Sequence, residues 1–341
     1  MRRWWAGELG GTGRILSLLT WPAEIVFGLG VSLRNRLYDR GLRRAETGPI
    51  PVVSVGNLLV GGAGKTPVAG WLVTRLLARG RRPALVTRGY GEDEVALHRR
   101  WNPGAPVIVE ERRIRGVERA AAQGADVAVL DDGFQHRALE RDLDIVLLPA
   151  EGPLRGRLLP RGPFRERLSA LRRADAVVVT RRSASEEVAE ELAAEARLLA
   201  PRAVVARVAL EAGEWTDLTG ESVDAPVEAS EVLAVCSIAR PEPFRLQVRD
   251  RLGTRVDLLP FPDHHDYDAV DARRIAERAR GRPVVTTEKD AVKLAPFRAE
   301  LRNVRVLPLY VRPEAARELE RALDRLGSGG VRDHGEQGRV G

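Results

Sequence analysis

Lysine is nearly missing from this chain. Of the 55 basic residues among its 341, only Lys65, Lys289 and Lys293 are lysines. A net charge of +7 therefore reflects an arginine preference as much as a need for anionic partners. Each lysine becomes informative instead, because a compact ammonium and a planar guanidinium meet a phosphate differently. Cysteine is scarce as well. The single Cys236 excludes an internal disulfide, and one thiol with five scattered histidines argues against a zinc site. Both fit a reducing cytoplasm. Aromatic residues make up 5 %, the arginines are dispersed and no recognition motif is present, which excludes the nucleic-acid-binding classes. A clean membrane-spanning run is also absent: residues 14–33 are almost long enough, but Pro22 and Glu24 interrupt them and Gly28 and Gly30 follow.

What is present supports two domains, with 44 % hydrophobic residues to fill their cores. Residues 51–68, PVVSVGNLLVGGAGKTPV, join an apolar β-type run to a glycine-rich loop and a helix start. Such a loop cradles a polyphosphate. Gly61, Gly62 and Gly64 let backbone N–H groups of the segment that includes Ala63 approach the phosphates, and the helix N-terminus adds a positive dipole end. Lys65 then reaches the β/γ oxygens of ATP and Thr66 ligates Mg²⁺. The strict pattern asks for glycine five residues before Gly64, where this chain has Leu59.

Downstream, a helical pattern at 68–80 and a strand within 83–91 complete a βαβ unit. A helix at 116–123, nearly all-apolar strands at 126–130, 143–148 and 175–180, and a helix at 185–199 extend it as a parallel sheet buried on both faces. Extended segments from 204 to 218 read as a hinge into a second lobe with its own strand–helix alternation, including helices near 242–252 and 268–280. The expectation is an α/β fold with a P-loop NTPase-like core at 45–203 and a smaller α/β lobe at 204–326. A membrane-associated N-terminal segment at 1–44 and a disordered tail at 327–341 complete it.

In the N-terminal segment, Trp4, Trp5 and Trp21 suit a headgroup boundary, and Arg34, Arg36, Arg40, Arg43 and Arg44 follow the apolar stretch as a cluster facing anionic lipid. The expected form is an interfacial helix that lies on the membrane. The alternatives are a helix hairpin buried on the protein's own core, or a cleaved signal peptide, for which no small-residue cleavage site follows.

The strand at 126–130 runs into Asp131-Asp132-Gly133-Phe134-Gln135-His136. Carboxylates at the C-terminal end of a buried strand in a phosphate-loop fold lie where ligands bind, near a Mg²⁺ shell. Adjacent aspartates cannot point the same way, so one is expected to serve the metal and the other the substrate side or the backbone. An ordinary Asp-Asp-Gly turn is the plain alternative. His136 either contacts substrate or orients a carboxylate.

The motifs VGNLLVGGAGKTP, LVTRGYG, LDDGFQHRALERDLDIVLL, LLPRGPFRERLSALRRADAVVVTR, FPDHHDY and TTEKDAVKL together resemble the tetraacyldisaccharide 4'-kinase family of lipid A biosynthesis, in that family's order and across residues 50–294. The resemblance implies transfer of the ATP γ-phosphate to the 4'-hydroxyl of a tetraacylated glucosamine disaccharide 1-phosphate, at the cytoplasmic face of the bacterial inner membrane. An acylated acceptor gives a reason for a membrane-lying helix, at about 0.8 kcal/mol per buried methylene. It further implies a base pair of aspartate and histidine. Asp93, in Gly91-Glu92-Asp93-Glu94-Val95, is the nearest match to the aspartate, although Glu92 replaces a glycine, Val95 replaces a proline and a preceding segment is missing. Glu94 and a solvated acidic loop are the alternatives there. His264 of FPDHHDY matches the histidine, orienting Asp93 or holding the leaving proton, a pairing expected to require closure of the two lobes. The resemblance extends metal contact to Asp131, Asp132 and Glu166, a catalytic role to Lys65 and Asp132, and substrate contact to Asn57, Arg88, Gln135, His136 and Arg165. Glu166 binds metal or fixes an arginine on this reading. Lys289 and Asp290 follow an apolar strand and receive no firm role, an ion pair that stabilises the lobe standing equal to substrate contact.

A GTP-binding regulator or metallochaperone is the rival class. It would read guanine with Asn/Thr-Lys-x-Asp and sense the γ-phosphate with Asp-x-x-Gly, but in Thr287-Glu288-Lys289-Asp290 the lysine comes one place late, and Leu130 stands three residues before Gly133. A soluble P-loop ligase whose N-terminal helix packs on the core is a third reading.

Overall fold

A computed structural model describes residue 5 and residues 10–89, 91–238 and 241–326. The expectations for Trp4 and for the tail at 327–341 lie outside these residues. Apolar runs without alternation make strands covered on both sides. β1 (Val52–Asn57), β2 (Pro83–Thr87) and β4 (Val127–Asp131) are buried along their whole length, and β5 (Leu143–Pro149) and β6 (Ala176–Arg181) along all but the last residue. With β3 (Val107–Val109), β7 (Val204–Ala212) and β12 (Leu309–Ala315) they form one sheet in the order β12-β7-β6-β5-β1-β4-β2-β3. The run from β6 through β5, β1 and β4 to β2 is parallel. The register sets Val55 beside Asp131 and Asn57 beside Leu147. The C-terminal ends of β1 and β4 therefore lie together, with the chain leaving them in different directions, which is where an open α/β sheet binds ligands.

The chain divides into two compact units. The first holds 1–88, 108–208 and 313–341, and the second holds 89–107 and 209–312. A linear reading with one lobe at 45–203 has no place for the excursion at 89–107. It carries a helix, Glu92–Trp101, that packs on the helix Glu288–Leu294. In the second unit a separate parallel sheet runs β11 (Val304–Leu307), β10 (Val284–Thr287), β8 (Glu231–Cys236), β9 (Arg255–Pro260). One side is filled by Leu233, Val235, Ile275 and Leu294, the other by Val232, Ala234, Phe244 and Val285. The P-loop type of sheet and the smaller α/β unit are both as read from the sequence.

Numbered along the chain, the helices begin with α1 (Gly10–Leu19) and α2 (Trp21–Asp39). Pro22 does not interrupt α2; it stands in the first turn, where an N–H has no helical acceptor to lose. One face of α2 is tied to the first unit. Glu24 accepts from the Leu158 N–H at 3.0 Å and from Arg161 at 3.2 Å, and Arg137 pairs with Asp39 at 2.8 Å. The rest is open: Ile15, Leu18, Leu19, Trp21, Val26, Leu29 and Leu33 are exposed, which is not a hairpin buried on its own core. No helix among the described residues is long and apolar enough to cross a membrane.

Candidate active site

Gly64 caps α3 (Lys65–Leu77) with φ +82°, a left-handed conformation that glycine reaches without a Cβ penalty, and Gly61 and Gly62 also have positive φ. The loop lies at the end of β1 and is fixed from β6, where the Thr180 hydroxyl donates to the Ala63 carbonyl at 3.1 Å. Thr66 is in the first turn of α3. Lys65 Nζ stands 3.4 Å from Asn57 Oδ1 and 3.7 Å from Asp132 Oδ1. The position where a glycine is missing has a different task. Leu59 is buried in the apolar cluster of Phe134, Leu158 and Phe164, and bridges to Phe164, while Arg165 N–H donates to the Leu58 carbonyl at 2.8 Å. A leucine there docks the 163–165 segment onto the start of the phosphate loop.

That docking delivers Arg165. Its Nη1 donates to both carboxylate oxygens of Asp132 at 3.0 and 2.9 Å, and Gln135 Oε1 is 3.4 Å away. Asp131 ends β4, buried, with its carbonyl accepting from Arg113 at 3.1 Å. Asp132 turns the chain with φ +60°, which is how neighbouring aspartates come to part. Lys65, Asp132, Gln135 and Arg165 thus form one group, and the plain-turn alternative leaves that convergence unexplained.

Two expectations change here. Asn57 is fully buried, with its side chain against Lys65 and its carbonyl accepting from Gln135 at 2.9 Å, so it positions the loop and has no surface for substrate. Glu166, read as a metal ligand, is committed elsewhere. Arg173 donates to its two oxygens at 2.9 and 3.2 Å and Asn35 of α2 donates to Oε2 at 2.7 Å. Arg34 also turns toward Glu166, at 3.9 Å, and so leaves the arginine cluster expected to face lipid. Of the two roles the sequence allowed Glu166, fixing an arginine is the one seen.

Arg88 is exposed just past the end of β2. Burial, followed by the charges of Arg113, Arg88, Arg141 and Arg34, depresses the His136 imidazole to about 4. At neutral pH the ring is uncharged, and it offers a hydrogen bond where a cationic phosphate clamp would need a charge.

In the second unit, Asp93 lies in the first turn of α4 (Glu92–Trp101) with its side chain fully buried, so the solvated-loop alternative fails. Gly91 caps this helix. A Cβ there would overlap Asp93 Oδ1 and lie 3.0 Å from His264 Nδ1, so only glycine allows the approach. His264 has φ +61°, unusual for a side chain of its size. It is held by its N–H donating to the Ser237 carbonyl at 3.0 Å, and Ser237 is fixed by the buried carboxylate of Asp290. His264 Nδ1 faces Asp93 Oδ2 at 3.6 Å. Both residues belong to the second unit, so the pairing needs no lobe closure.

Helix α9 (Glu288–Leu294), eighth and ninth in order being Ala269–Ala279 and itself, brings two ammonium groups to the same carboxylate. Lys293 Nζ is 3.2 Å and Lys289 Nζ 3.6 Å from Asp93 Oδ2. Burial pushes the Asp93 carboxyl up, but the charges of Lys289 and Lys293 and the Glu94 N–H pull it below the ordinary range. The magnitudes favour that outcome. Full burial costs a carboxylate up to about 3–5 pKa units, roughly 4–7 kcal/mol. Each unit charge about 4 Å away at an effective dielectric near 20 returns about 4 kcal/mol. Glu94, the alternative base, is paired with Lys289 at 3.3 Å. Lys289 and Asp290 had no firm role on the sequence alone, and Lys293 had none; the rarity of lysine was the signal available.

A sequence profile of the tetraacyldisaccharide-1-P 4'-kinase family, LpxK, matches residues 16–327. The tetraacyldisaccharide 4'-kinase of Anaeromyxobacter sp. (strain Fw109-5) is 41 % identical over 361 residues, covering 95 % of this chain and 96 % of that protein. The enzyme of the same description from Chlorobium luteolum is 37 % identical over 314 residues, covering 82 % and 88 %. Among solved structures, LpxK from Aquifex aeolicus in complex with ATP aligns with a TM-score of 0.73 at 30 % identity, over 91 % of this chain and 99 % of that one. The motif resemblance is borne out, and the chain belongs to the tetraacyldisaccharide 4'-kinase family of lipid A biosynthesis.

Proposed function

We propose that Asp93 is the base for this family's reaction, the transfer of the ATP γ-phosphate to the 4'-hydroxyl of a tetraacylated glucosamine disaccharide 1-phosphate. The observation that carries the reading is a fully buried carboxylate oxygen, Asp93 Oδ2, which faces His264 Nδ1 at 3.6 Å and the ammonium groups of Lys293 and Lys289 at 3.2 and 3.6 Å. An acceptor hydroxyl that reaches this oxygen can lose its proton there. On the donor side, the 61–66 backbone holds the triphosphate, and Lys65 and Arg165 meet the charge that develops on the transferred group. ATP as donor is supported by the Aquifex aeolicus relative, which is described in complex with ATP. The alternative of a nucleotide-switched regulator is not favoured by this membership.

The residues suit Mg²⁺ of the kind that keeps waters and leans on substrate phosphates. Among the described residues no three acidic, histidine or cysteine side chains form a cage of their own, while Asp131 ends β4, Asp132 faces Lys65 and Thr66 stands in the first turn of α3. These three would hold it, and when bound it would neutralise charge on the β- and γ-phosphates. Asp132 already faces two cations, so its pairing with Arg165 has to loosen for direct contact. Gln135, Arg88 and neutral His136 are the polar groups that would meet the acceptor.

The membrane face is α1 and α2. Their exposed leucines, Val26 and Trp21 form an apolar surface followed by exposed Arg36, Arg40, Arg43 and Arg44, which suits an interfacial position on anionic lipid at the inner membrane's cytoplasmic face. Exchanging Leu18, Leu29 and Leu33 for serine is expected to lower partition onto anionic vesicles by about tenfold or more; unchanged partition removes the membrane role from this face. The activity itself is tested with labelled ATP, Mg²⁺ and the acylated disaccharide 1-phosphate in detergent. A 4'-phosphorylated product that disappears in Asp93→Asn supports the assignment, and undiminished product in that variant moves the base elsewhere.

A further inference from the structure

We propose that Lys289 and Lys293 are positioning residues that divide the work of the Asp93–His264 pair: the lysines keep Asp93 the proton acceptor and restrict His264 to orienting it. The inference rests on Asp93 being the base. Its ground is the placement of the two ammonium groups. Lys293 Nζ lies 3.2 Å from Asp93 Oδ2 and donates to the His265 carbonyl at 2.9 Å, with the exposed Asp266 3.5 Å away. Lys289 Nζ lies among Asp93 Oδ2 at 3.6 Å, Glu94 Oε1 at 3.3 Å and His264 Nε2 at 3.2 Å.

The contact with Nε2 decides the tautomer. An ammonium has three donors and no acceptor, so it meets Nε2 as a lone pair, and the ring proton of neutral His264 is then on Nδ1, the nitrogen that faces Asp93. Nδ1 has no other partner among the described residues. When the 4'-oxygen bonds to the γ-phosphorus and the bond to the ADP oxygen breaks, the hydroxyl proton passes to Asp93 Oδ2, the other carboxylate of the cage, Glu94, being paired with Lys289. His264 can take it only by giving up Lys289 and placing an imidazolium against an ammonium.

The charged and titratable groups around Asp93 are Glu94 on its own helix, Lys289 and Lys293 on α9, and His264 on the loop after β9. The two cations lie nearer to Asp93 than Glu94 or the solvent-screened Asp266 does, so the field on Asp93 is positive and holds it ionised despite its burial. Lysine suits this place because its charge is a point on a flexible stem, able to touch a carboxylate and an imidazole at once, where a guanidinium fork would demand a planar partner.

The first test is made on the full-length wild-type protein. With ¹⁵N-labelled histidine, and His264→Asn to assign the signal, His264 is expected as the Nδ1–H tautomer at pH 8; an Nε2–H tautomer overturns the proposal whatever the variants do. In Lys289→Met the ring is expected to populate Nε2–H. The second test is the acidic limb of kcat/KM against pH. Removing either charge lets burial raise the Asp93 carboxyl, so the limb in Lys289→Met and Lys293→Met is expected to move up by about one pH unit or more. At neutral pH kcat is expected to fall about 10- to 100-fold, with KM for ATP within about threefold. Lys293→Arg keeps the charge and is expected to keep the limb near the wild-type position, which a merely structural role does not predict. Limbs that stay in place in both methionine variants overturn the proposal. Asp93→Asn separates the two failures: if it retains turnover the base reading falls, and if it abolishes turnover while the limbs do not move, the base stands and the lysine roles fall.

Discussion

In the first unit, consecutive residues from Gly61 to Thr66 make a binding loop largely out of backbone. In the second, three side chains from positions 264 to 293 gather around a single carboxylate oxygen of Asp93. The loop depends on conformation: positive φ at its glycines and the N-terminus of α3 turn N–H groups toward an anion, and little else in the chain has to cooperate. The Asp93 cage depends on tertiary placement. Gly91 must admit the carboxylate, Asp290 must fix Ser237 so that His264 is held with φ +61°, and α9 must present both lysines on one face. A loop built from backbone tolerates changes of side chain nearby, as Leu59 shows, whereas a cage assembled from distant side chains is sensitive at each corner.

The sharpest way to break this contrast is to remove one charge from each region. Asp93→Asn is expected to lower kcat by about a thousandfold while ATP binding stays within about twofold. Lys65→Met is expected to weaken nucleotide binding as well as turnover, because Lys65 serves the triphosphate before the reaction and during it. Nucleotide titration and steady-state kinetics on the same preparations separate the two. If Asp93→Asn weakens ATP binding as much as Lys65→Met does, the division of labour is wrong.

Gly91→Ala tests the sensitivity of the cage with one methyl group. The added Cβ overlaps Asp93 Oδ1 and crowds His264 Nδ1, so kcat is expected to fall about 100-fold, by displacement of the base of the order of an ångström. ATP affinity and the melting temperature should move little in comparison. An alanine variant with normal turnover would show that the close approach is not needed for the reaction.

The same contrast explains what could be read from the sequence. The phosphate loop, the parallel strands and the DDGF turn are local patterns, and each is visible in a short window: apolar runs without alternation, glycines before a lysine, carboxylates after a strand. Asp93 and His264 became visible only through the family's motifs, and even then the pairing was expected to need two lobes closing. The reason is topological. Residues 89–107 leave the first unit and pack in the second, and no local pattern in α4 announces where it packs. Glu166 was left between a metal and an arginine for a related reason. Its partners Asn35 and Arg173 come from opposite sides in sequence, and a carboxylate next to an arginine looks the same in one dimension whether it meets a metal or a guanidinium.

Glu166 offers the next test, on stability. Its side chain is 1 % exposed and neutralises Arg173, whose guanidinium also lies over the Phe134 ring at 4.6 Å. Removing one partner of a buried pair leaves the other unpaired, so Glu166→Gln is expected to lower unfolding stability by about 3 kcal/mol in urea titrations. The loss should be equal with and without Mg²⁺ and nucleotide. A loss that appears only with Mg²⁺ present returns Glu166 to the metal.

His136 carries the smallest expected effect, and its sign follows from its surroundings in the first unit. Its imidazole titrates near 4 in the folded chain against an ordinary 6.5, because burial and then the charges of Arg113, Arg88, Arg141 and Arg34 disfavour the cation. As pH falls through 6.5 the unfolded chain takes up this proton first, so it binds more protons than the folded chain and stability declines down to about 4, below which this contribution is constant. Above 6.5 nothing is lost. Carboxylates add their own acid dependence, so the informative quantity is the difference between wild type and His136→Gln. Urea midpoints at pH 7.5 and 5 are expected to fall less in the variant than in the wild type, because glutamine has no proton to gain. An equal fall in both would mean that the arginines around His136 relax away from an imidazolium, and the ring would then be free to meet the acceptor as a cation.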